Sequence, residues 1–310
     1  MVTWPAGPVT VQVPATSANL GPGFDSFGLA LSLHNTVTAL VRPGDTEVES
    51  FGLWPGSQLD LIEDNLILRA MRAGFAALGG TQPPGIAISC RNEVPQGFGL
   101  GSSAAAIVSG IVAARALAGP DGVAALPDAD VLRLATEIEG HPDNVAACLS
   151  GGLTICWAGA AGVQVAVLTP LAALTPVLCV PAKPLPTEAA RKVLPAQVPH
   201  ADAAANSARA ALLIAALTGQ PELLLAGTED FLHQQYRAAA MPATAELISR
   251  LRDAGIAAVV SGAGPAVLAL TVSGQRPSAE DVARIAGEPG AAWRVLPLRV
   301  DTGGARVLPG

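Results

Sequence analysis

The segment Pro95-Gln-Gly-Phe-Gly-Leu-Gly-Ser-Ser-Ala-Ala105 constrains this chain more than any other stretch. Upstream, residues 85–90 alternate as a strand does. Downstream, residues 103–117 are apolar enough for a buried helix. Gly97, Gly99 and Gly101 free the backbone to take positive φ and to approach a ligand closely. Backbone N–H groups at a helix N-terminus lack internal partners, and the helix dipole favours negative charge there. A turn feeding a helix in this way suits phosphate. No Lys follows the last glycine, so this is not a Walker A loop, and the glycine spacing is not the dinucleotide fingerprint. Taken alone, the segment fits equally a glycine turn with a serine N-cap, which needs no ligand.

The rest of the chain narrows the choice. Its 310 residues suffice for two domains, divided near residue 170 where prolines gather, giving 1–170 and 171–310. Half of the residues are hydrophobic and 14% are charged, which excludes disorder. A net charge of −7 argues against a nucleic-acid partner. The apolar stretches near 161–182 and 256–272 are broken by Pro and Gly, so they read as paired buried strands and not as membrane spans. Residues 1–8 carry no basic stretch followed by an apolar core, and a cytoplasmic location is expected. Cys90, Cys148, Cys156 and Cys179 have no paired spacing and read as buried thiols.

Strand-like patterns occupy 9–13, 29–33, 36–41, 85–90, 151–157, 163–168, 176–180, 256–260, 266–272 and 293–300. Helical patterns occupy 65–78, 103–117, 128–139, 187–193, 202–217, 244–254 and 278–285, with one or two more helices in 221–236. Residues 14–25 read as a loop and 261–265 as a tight turn. Hairpins mixed with helices, without a regular βαβ repeat, indicate an α+β architecture.

Three separated motifs line up: Pro14-Ala-Thr-Ser-Ala-Asn-Leu-Gly-Pro-Gly-Phe-Asp25, the Pro95–Ala105 segment and Ser261-Gly-Ala-Gly-Pro-Ala266. Together they resemble the GHMP kinases, which include galactokinase, homoserine kinase, mevalonate kinase and phosphomevalonate kinase. The resemblance is closest to the homoserine kinase family, through His141-Pro-Asp-Asn-Val-Ala146, Thr187-Glu-Ala-Ala-Arg191 and Asp301-Thr-Gly-Gly-Ala-Arg-Val-Leu308. It covers residues 9 to 308. It implies a ribosomal-S5-like N-terminal domain with a left-handed βαβ unit and a ferredoxin-like C-terminal domain. It also implies ATP-dependent phosphorylation of the side-chain hydroxyl of L-homoserine, giving O-phosphohomoserine, the precursor of threonine. The family is commonly homodimeric.

The resemblance carries roles onto matching residues. Pro95, Gln96, Gly97, Phe98, Gly99, Leu100, Gly101, Ser102, Ser103, Ala104 and Ala105 would wrap the phosphates of ATP. Ser103 and Glu139 would hold Mg²⁺, whose hardness suits hydroxyl and carboxylate oxygens. Asn65 matches a segment lining the adenine pocket, and equally suits a helix N-cap. Arg191 and Arg237 would take the substrate carboxylate, as planar guanidinium groups do, although either could sit in a surface salt bridge. Asp25 would take the ammonium with Asn19 beside it, while both residue types also favour turns. His141, Asp143 and Asn144 would border the substrate, and Gly262 and Gly264 would let backbone approach it. Asn144 stands where mevalonate and galactose kinases have a carboxylate, so no strong protein base is expected. Ala266 departs from the family's usual Thr, and the 139–141 loop is shorter than in some relatives. The alternatives are another small-molecule GHMP kinase, such as a mevalonate-type enzyme, and a non-catalytic relative that only binds ligand.

Overall fold

Alternation along the first strands sets the fold. The computed structural model describes residue 4 and residues 7–52, 65–160, 162–287 and 292–309; most of 1–8, read above for a leader, lies outside them. Val11 and Val13 are fully buried on β1 (Val9–Ala18), which pairs antiparallel with the long β2 (Phe27–Arg42). β3 (Glu47–Gly52), α1 (Leu66–Ala77) and β4 (Gly85–Asn92) form a β-α-β crossover, because β3 and β4 pair in parallel with Glu47 opposite Ala87. Next come α2 (Ser102–Leu117), α3 (Gly119–Ala125), α4 (Asp128–Glu139) and α5 (Asp143–Ser150). The hairpin of β5 (Leu153–Gly159) and β6 (Gly162–Leu168) joins the sheet through β2. Helix α2 is apolar on nearly all sides, from Ala104 to Leu117, and accordingly lies buried.

A second sheet follows. It uses β7 (Leu174–Pro181), then α6 (Thr187–Lys192), α7 (His200–Thr218), the single turns α8 (Leu224–Gly227) and α9 (Gln234–Arg237), and α10 (Pro242–Asp253). β8 (Ala257–Val260), β9 (Val267–Val272), α11 (Ala279–Ala286) and β10 (Trp293–Pro297) complete it. The strand order β10-β7-β9-β8, all antiparallel, is the ferredoxin-like arrangement. The chain then returns to the first sheet, where β11 (Arg306–Leu308) pairs with the outer edge of β1. Among the described residues, three main cores result. One lies between the first sheet and α1, α2, α4 and α5. A second packs Val177 and Val267 of the second sheet against Leu247 and Leu251 of α10 and Val282 of α11. The third is shared, joining Leu29, Leu31, Phe98 and Leu153 to Leu178, Leu213 and Leu268.

Several expectations are corrected. The loop read at 14–25 starts only after Ala18, and the strands read at 29–33 and 36–41 are one. A bulge between Pro14 and Ala15 absorbs the break in alternation, so pairing resumes beyond the proline. The strand read at 293–300 stops at Pro297, and Val300 makes only an isolated bridge to Leu31. No serine caps α2: its N-cap is Gly101, at φ 63° and ψ 30°, with no side-chain cap. β3, α3, α5 and β11 are additional elements.

Candidate active site

The bare start of α2 anchors the site. With Gly101 as N-cap, the first N–H groups of the helix face outward without a side-chain partner. Gly101 is required twice over. Its φ is left-handed, and a Cβ there would run into Thr16 Oγ1 and Asn144 Oδ1. Three backbone bonds then weld the motifs together: Thr16 N–H donates to Leu100 O at 3.1 Å, Ala266 N–H to Phe98 O at 3.2 Å and Gly262 N–H to Ala18 O at 3.1 Å. Ser261 Oγ lies 2.8 Å from Gly99 O and 2.9 Å from Ser17 Oγ. The three sequence motifs therefore meet around one cavity.

Helices α4 and α5 bring acid groups to its wall. Gly140, at φ 90°, ends α4, and three residues later α5 begins. Ser103 Oγ donates to Glu139 Oε2 at 2.6 Å. Asp143 Oδ1 accepts from Asn144 N–H at 2.7 Å and lies 3.0 Å from His141 Nδ1. Thr16 Oγ1 donates to Asn144 Oδ1 at 2.7 Å, which turns the amide nitrogen of Asn144 away from Thr16. Burial raises the Glu139 pKa above the usual carboxylate value, outweighing the Ser103 hydrogen bond and the charge on His141. The Asp143 hydrogen bond raises the His141 pKa against the opposing effect of burial.

The two arginines differ. Arg191, on α6, makes a bidentate pair with Asp25 at 2.8 and 3.2 Å. Both side chains keep 37% exposure. Arg237, on α9, is 1% exposed, so the surface salt bridge is excluded for it. Its Nε donates to Ala190 O, and its Nη1 lies 3.1 Å from both Gly262 O and His233 Nδ1. Asn19 Nδ2 donates to the same Gly262 O at 2.8 Å, and Asn19 Oδ1 accepts from Asp25 N–H.

The cavity gathers Asn19, Gly97, Gly99, Leu100, Gly101, Ser102 and Ser103 with Glu139, His141, Asp143, Asn144, Arg191, Arg237 and Gly262. Asp25 reaches it through Arg191. Asn65, Gln96 and Ser103 line an adjoining cavity. Asn65 is also the N-cap of α1, accepting from Leu68 N–H at 3.0 Å, while its Nδ2 is buried with no partner among the described residues. Ala104 and Ala105 are core residues of α2, and Phe98 packs in the shared core. Pro95 lines neither cavity. Ala266 is fully buried, behind the cavity wall. Sequence reasoning missed two site residues, Thr16 beneath Asn144 and Thr187 in the cavity. Both stand inside motifs already singled out, so the motif was the available signal.

Comparison with known proteins agrees with this arrangement. Residues 65–152 match the GHMP kinases N terminal domain, and residues 208–293 match the GHMP kinases C terminal domain. The chain is 53% identical over 306 residues to a homoserine kinase of Streptomyces avermitilis, covering 98% of this chain and 97% of that one. The chain belongs to the homoserine kinase family of GHMP kinases. A homoserine kinase of Clavibacter michiganensis is 52% identical across 96% of this chain and 93% of its own. In three dimensions the fold is similar to the crystal structure of a homoserine kinase from Cytophaga hutchinsonii, with a TM-score of 0.83, 27% identity and 97% of each chain covered. Homoserine kinase membership accounts for the ferredoxin-like second sheet and for the meeting of the three motifs. Among the described residues, no helix is long and apolar enough to cross a membrane.

Proposed function

We propose that this chain transfers the γ-phosphoryl group of ATP to the side-chain hydroxyl of L-homoserine. One observation carries the reading: a bare helix N-terminus, a carboxylate facing a hydroxyl, and Arg191, itself paired with Asp25, all border one cavity. The helix start and glycine loop suit the triphosphate. The adjoining cavity suits the base, where the unpartnered Nδ2 of Asn65 is a free donor.

Ser103 and Glu139 would hold Mg²⁺. Among the described residues no cluster of three or more His, Cys, Asp or Glu suits a metal. One hydroxyl and one carboxylate fit a hard cation that takes its other ligands from phosphate and water. Burial raises the Glu139 pKa, and a bound cation would offset that cost. When bound, Mg²⁺ neutralises charge on the transferring phosphates.

Homoserine is a zwitterion, and Asp25 with Arg191 is its mirror image. A pair this exposed contributes only about 0–1 kcal/mol, so substrate can exchange into it. Its carboxylate takes Arg191 with Arg237 behind, and its ammonium takes Asp25 beside Asn19. Gly262 closes the same wall. The acceptor hydroxyl then lies near Asn144, His141 and Asp143. None is a strong base. Asn144 offers only an amide, which is not basic, and its Oδ1 already accepts from Thr16. His141 is tied through Nδ1 to Asp143, a hydrogen bond that raises its pKa. Positioning and electrostatics would therefore drive the reaction, with the hydroxyl proton leaving late to phosphate or water.

A mevalonate-type substrate would leave Asp25 without an ammonium. A coupled ADP-release assay with L-homoserine, L-serine, L-threonine and mevalonate separates these readings: homoserine is expected to give the highest kcat/KM, and no homoserine-dependent release would sink the proposal. A homodimer and a cytoplasmic location are carried over by resemblance, and light scattering tests the first.

A further inference from the structure

His233 is wholly buried, and nothing in the chemistry above uses it. Its Nε2 lies 2.9 Å from Gly21 O, and its Nδ1 lies 3.1 Å from Arg237 Nη1. A carbonyl can only accept and a guanidinium can only donate. Both contacts are satisfied by one state alone, the neutral ring with its proton on Nε2. The ring is held from other sides as well. Phe24 lies against it at 5.2 Å between centroids and also carries the Arg237 guanidinium at 5.6 Å. The Asp230 carboxylate accepts from the backbone N–H groups of Leu232, His233 and Gln234, fixing the turn that presents the imidazole.

The imidazole therefore bridges two parts of the substrate wall. Gly21 belongs to the loop that bears Asn19 and Asp25, while Arg237 closes the opposite side. Asn19 and Arg237 also share Gly262 O. With Nε on Ala190 O and Nη1 on Gly262 O and His233, Nη2 is the guanidinium nitrogen without a hydrogen bond among the described residues, on a residue that lines the cavity. We infer that His233 is a positioning residue for homoserine: it locks Arg237 to the Asn19–Asp25 loop, so that one guanidinium edge is kept for the substrate carboxylate. Burial also lowers the His233 pKa, with Arg237 acting in the same direction and Asp230, Gly21 O and Asp25 opposing. This keeps the accepting form of Nδ1 populated at neutral pH.

The inference rests on Arg237 binding the substrate carboxylate, so the experiment separates the two. Arg237→Lys, which loses the fork, is expected to raise KM for homoserine at least about tenfold. His233→Leu removes both hydrogen bonds and is expected to raise the same KM roughly 5- to 100-fold, with KM for ATP unchanged and kcat within about threefold. His233→Gln keeps one donor and one acceptor and is expected to restore KM to within about threefold of wild type. If Arg237→Lys leaves KM unchanged, the carboxylate reading fails and takes the inference with it. If Arg237→Lys is impaired but His233→Leu is not, or if both KM values rise together, the inference alone is overturned. Should His233→Leu not fold, ¹⁵N-histidine NMR of the unmodified enzyme decides. A neutral Nε2–H ring at neutral pH supports the inference, and an Nδ1–H or protonated ring contradicts it.

Discussion

At the scale of single residues, the metal-binding role proposed for Glu139 sets function against folding. Burial raises its pKa, and the hydrogen bond from Ser103 only partly offsets this. A carboxyl whose folded pKa exceeds its unfolded pKa binds more protons when folded. Its stabilising contribution is present below the unfolded value and lost as pH rises through the folded one. At neutral pH the ionised Glu139 thus weakens the ligand-free fold. Glu139→Gln should raise Tm at about pH 7 and lower kcat roughly 10²–10³-fold. Thermal melts and steady-state rates check both, and a lower Tm contradicts the account. Asn144 and Asp25 separate transfer from binding. Asp25→Ala should raise KM for homoserine, while Asn144→Ala should lower kcat by roughly 10–100-fold, short of the uncatalysed rate. If Asn144→Ala abolishes turnover with substrate affinity intact, positioning without a base is wrong. Most of these side chains were legible as motif members. Their mutual contacts were not: that Asp25 and Arg191 pair across 166 positions, or that Thr16 holds Asn144, depends on the long-range packing of separate segments.

At the scale of elements, helix starts and turns do the positioning. Gly101→Ala adds about 1–2 kcal/mol of left-handed strain and pushes Thr16 and Asn144 apart. A shift of about 1 Å at reacting groups costs roughly 100-fold, so kcat should fall by at least that while circular dichroism stays close to wild type. A kcat within a few fold of wild type would contradict the role given to this cap. The turn from Asp301 to Arg306 grips the far end of α5, since Gly152 N–H donates to Asp301 O at 2.7 Å and Ala305 N–H to Leu149 O at 3.1 Å. Burial disfavours the Asp301 carboxylate, but the His34 hydrogen bond and the N–H groups of Gly304 and Gly303 outweigh it and hold its pKa at about 2. That contribution is present above 3.8 and lost as pH falls toward about 2. Asp301→Asn should therefore cost about 1–3 kcal/mol by urea unfolding at neutral pH, and the difference from wild type should shrink as pH falls toward 2. A pH-independent difference would contradict it. Helix α5 escaped sequence reading because it is buried from Asp143 to Leu149 and shows no one-sided stripe, while the other three missed elements share a cause. β3 is an edge strand with no fully buried residue, β11 has three residues, and α3 contains two glycines and a proline. None is long or periodic enough to declare itself, and tertiary pairing forms them.

At the scale of the whole molecule, the site sits on a seam. The first sheet supplies the glycine loop and α5, the second supplies Arg237 and Gly262, and the core beneath them draws on both. Such a shared core should unfold as one unit. Calorimetry should give a single transition with equal calorimetric and van't Hoff enthalpies, whereas two resolved transitions would mean the halves fold independently. The α+β class was legible because hairpin-like strand pairs are mixed with helices and no regular βαβ repeat appears. The return of β11 to the first sheet was not, because only the closed fold brings residues 306–308 beside β1. The central claim is phosphoryl transfer to the side-chain hydroxyl of homoserine. ³¹P NMR of the product formed from ATP and L-homoserine tests it most directly. The account predicts a stable phosphomonoester coupled to the side-chain CH₂ protons. An acyl phosphate on the carboxylate, or ATP hydrolysis to inorganic phosphate alone, would contradict it.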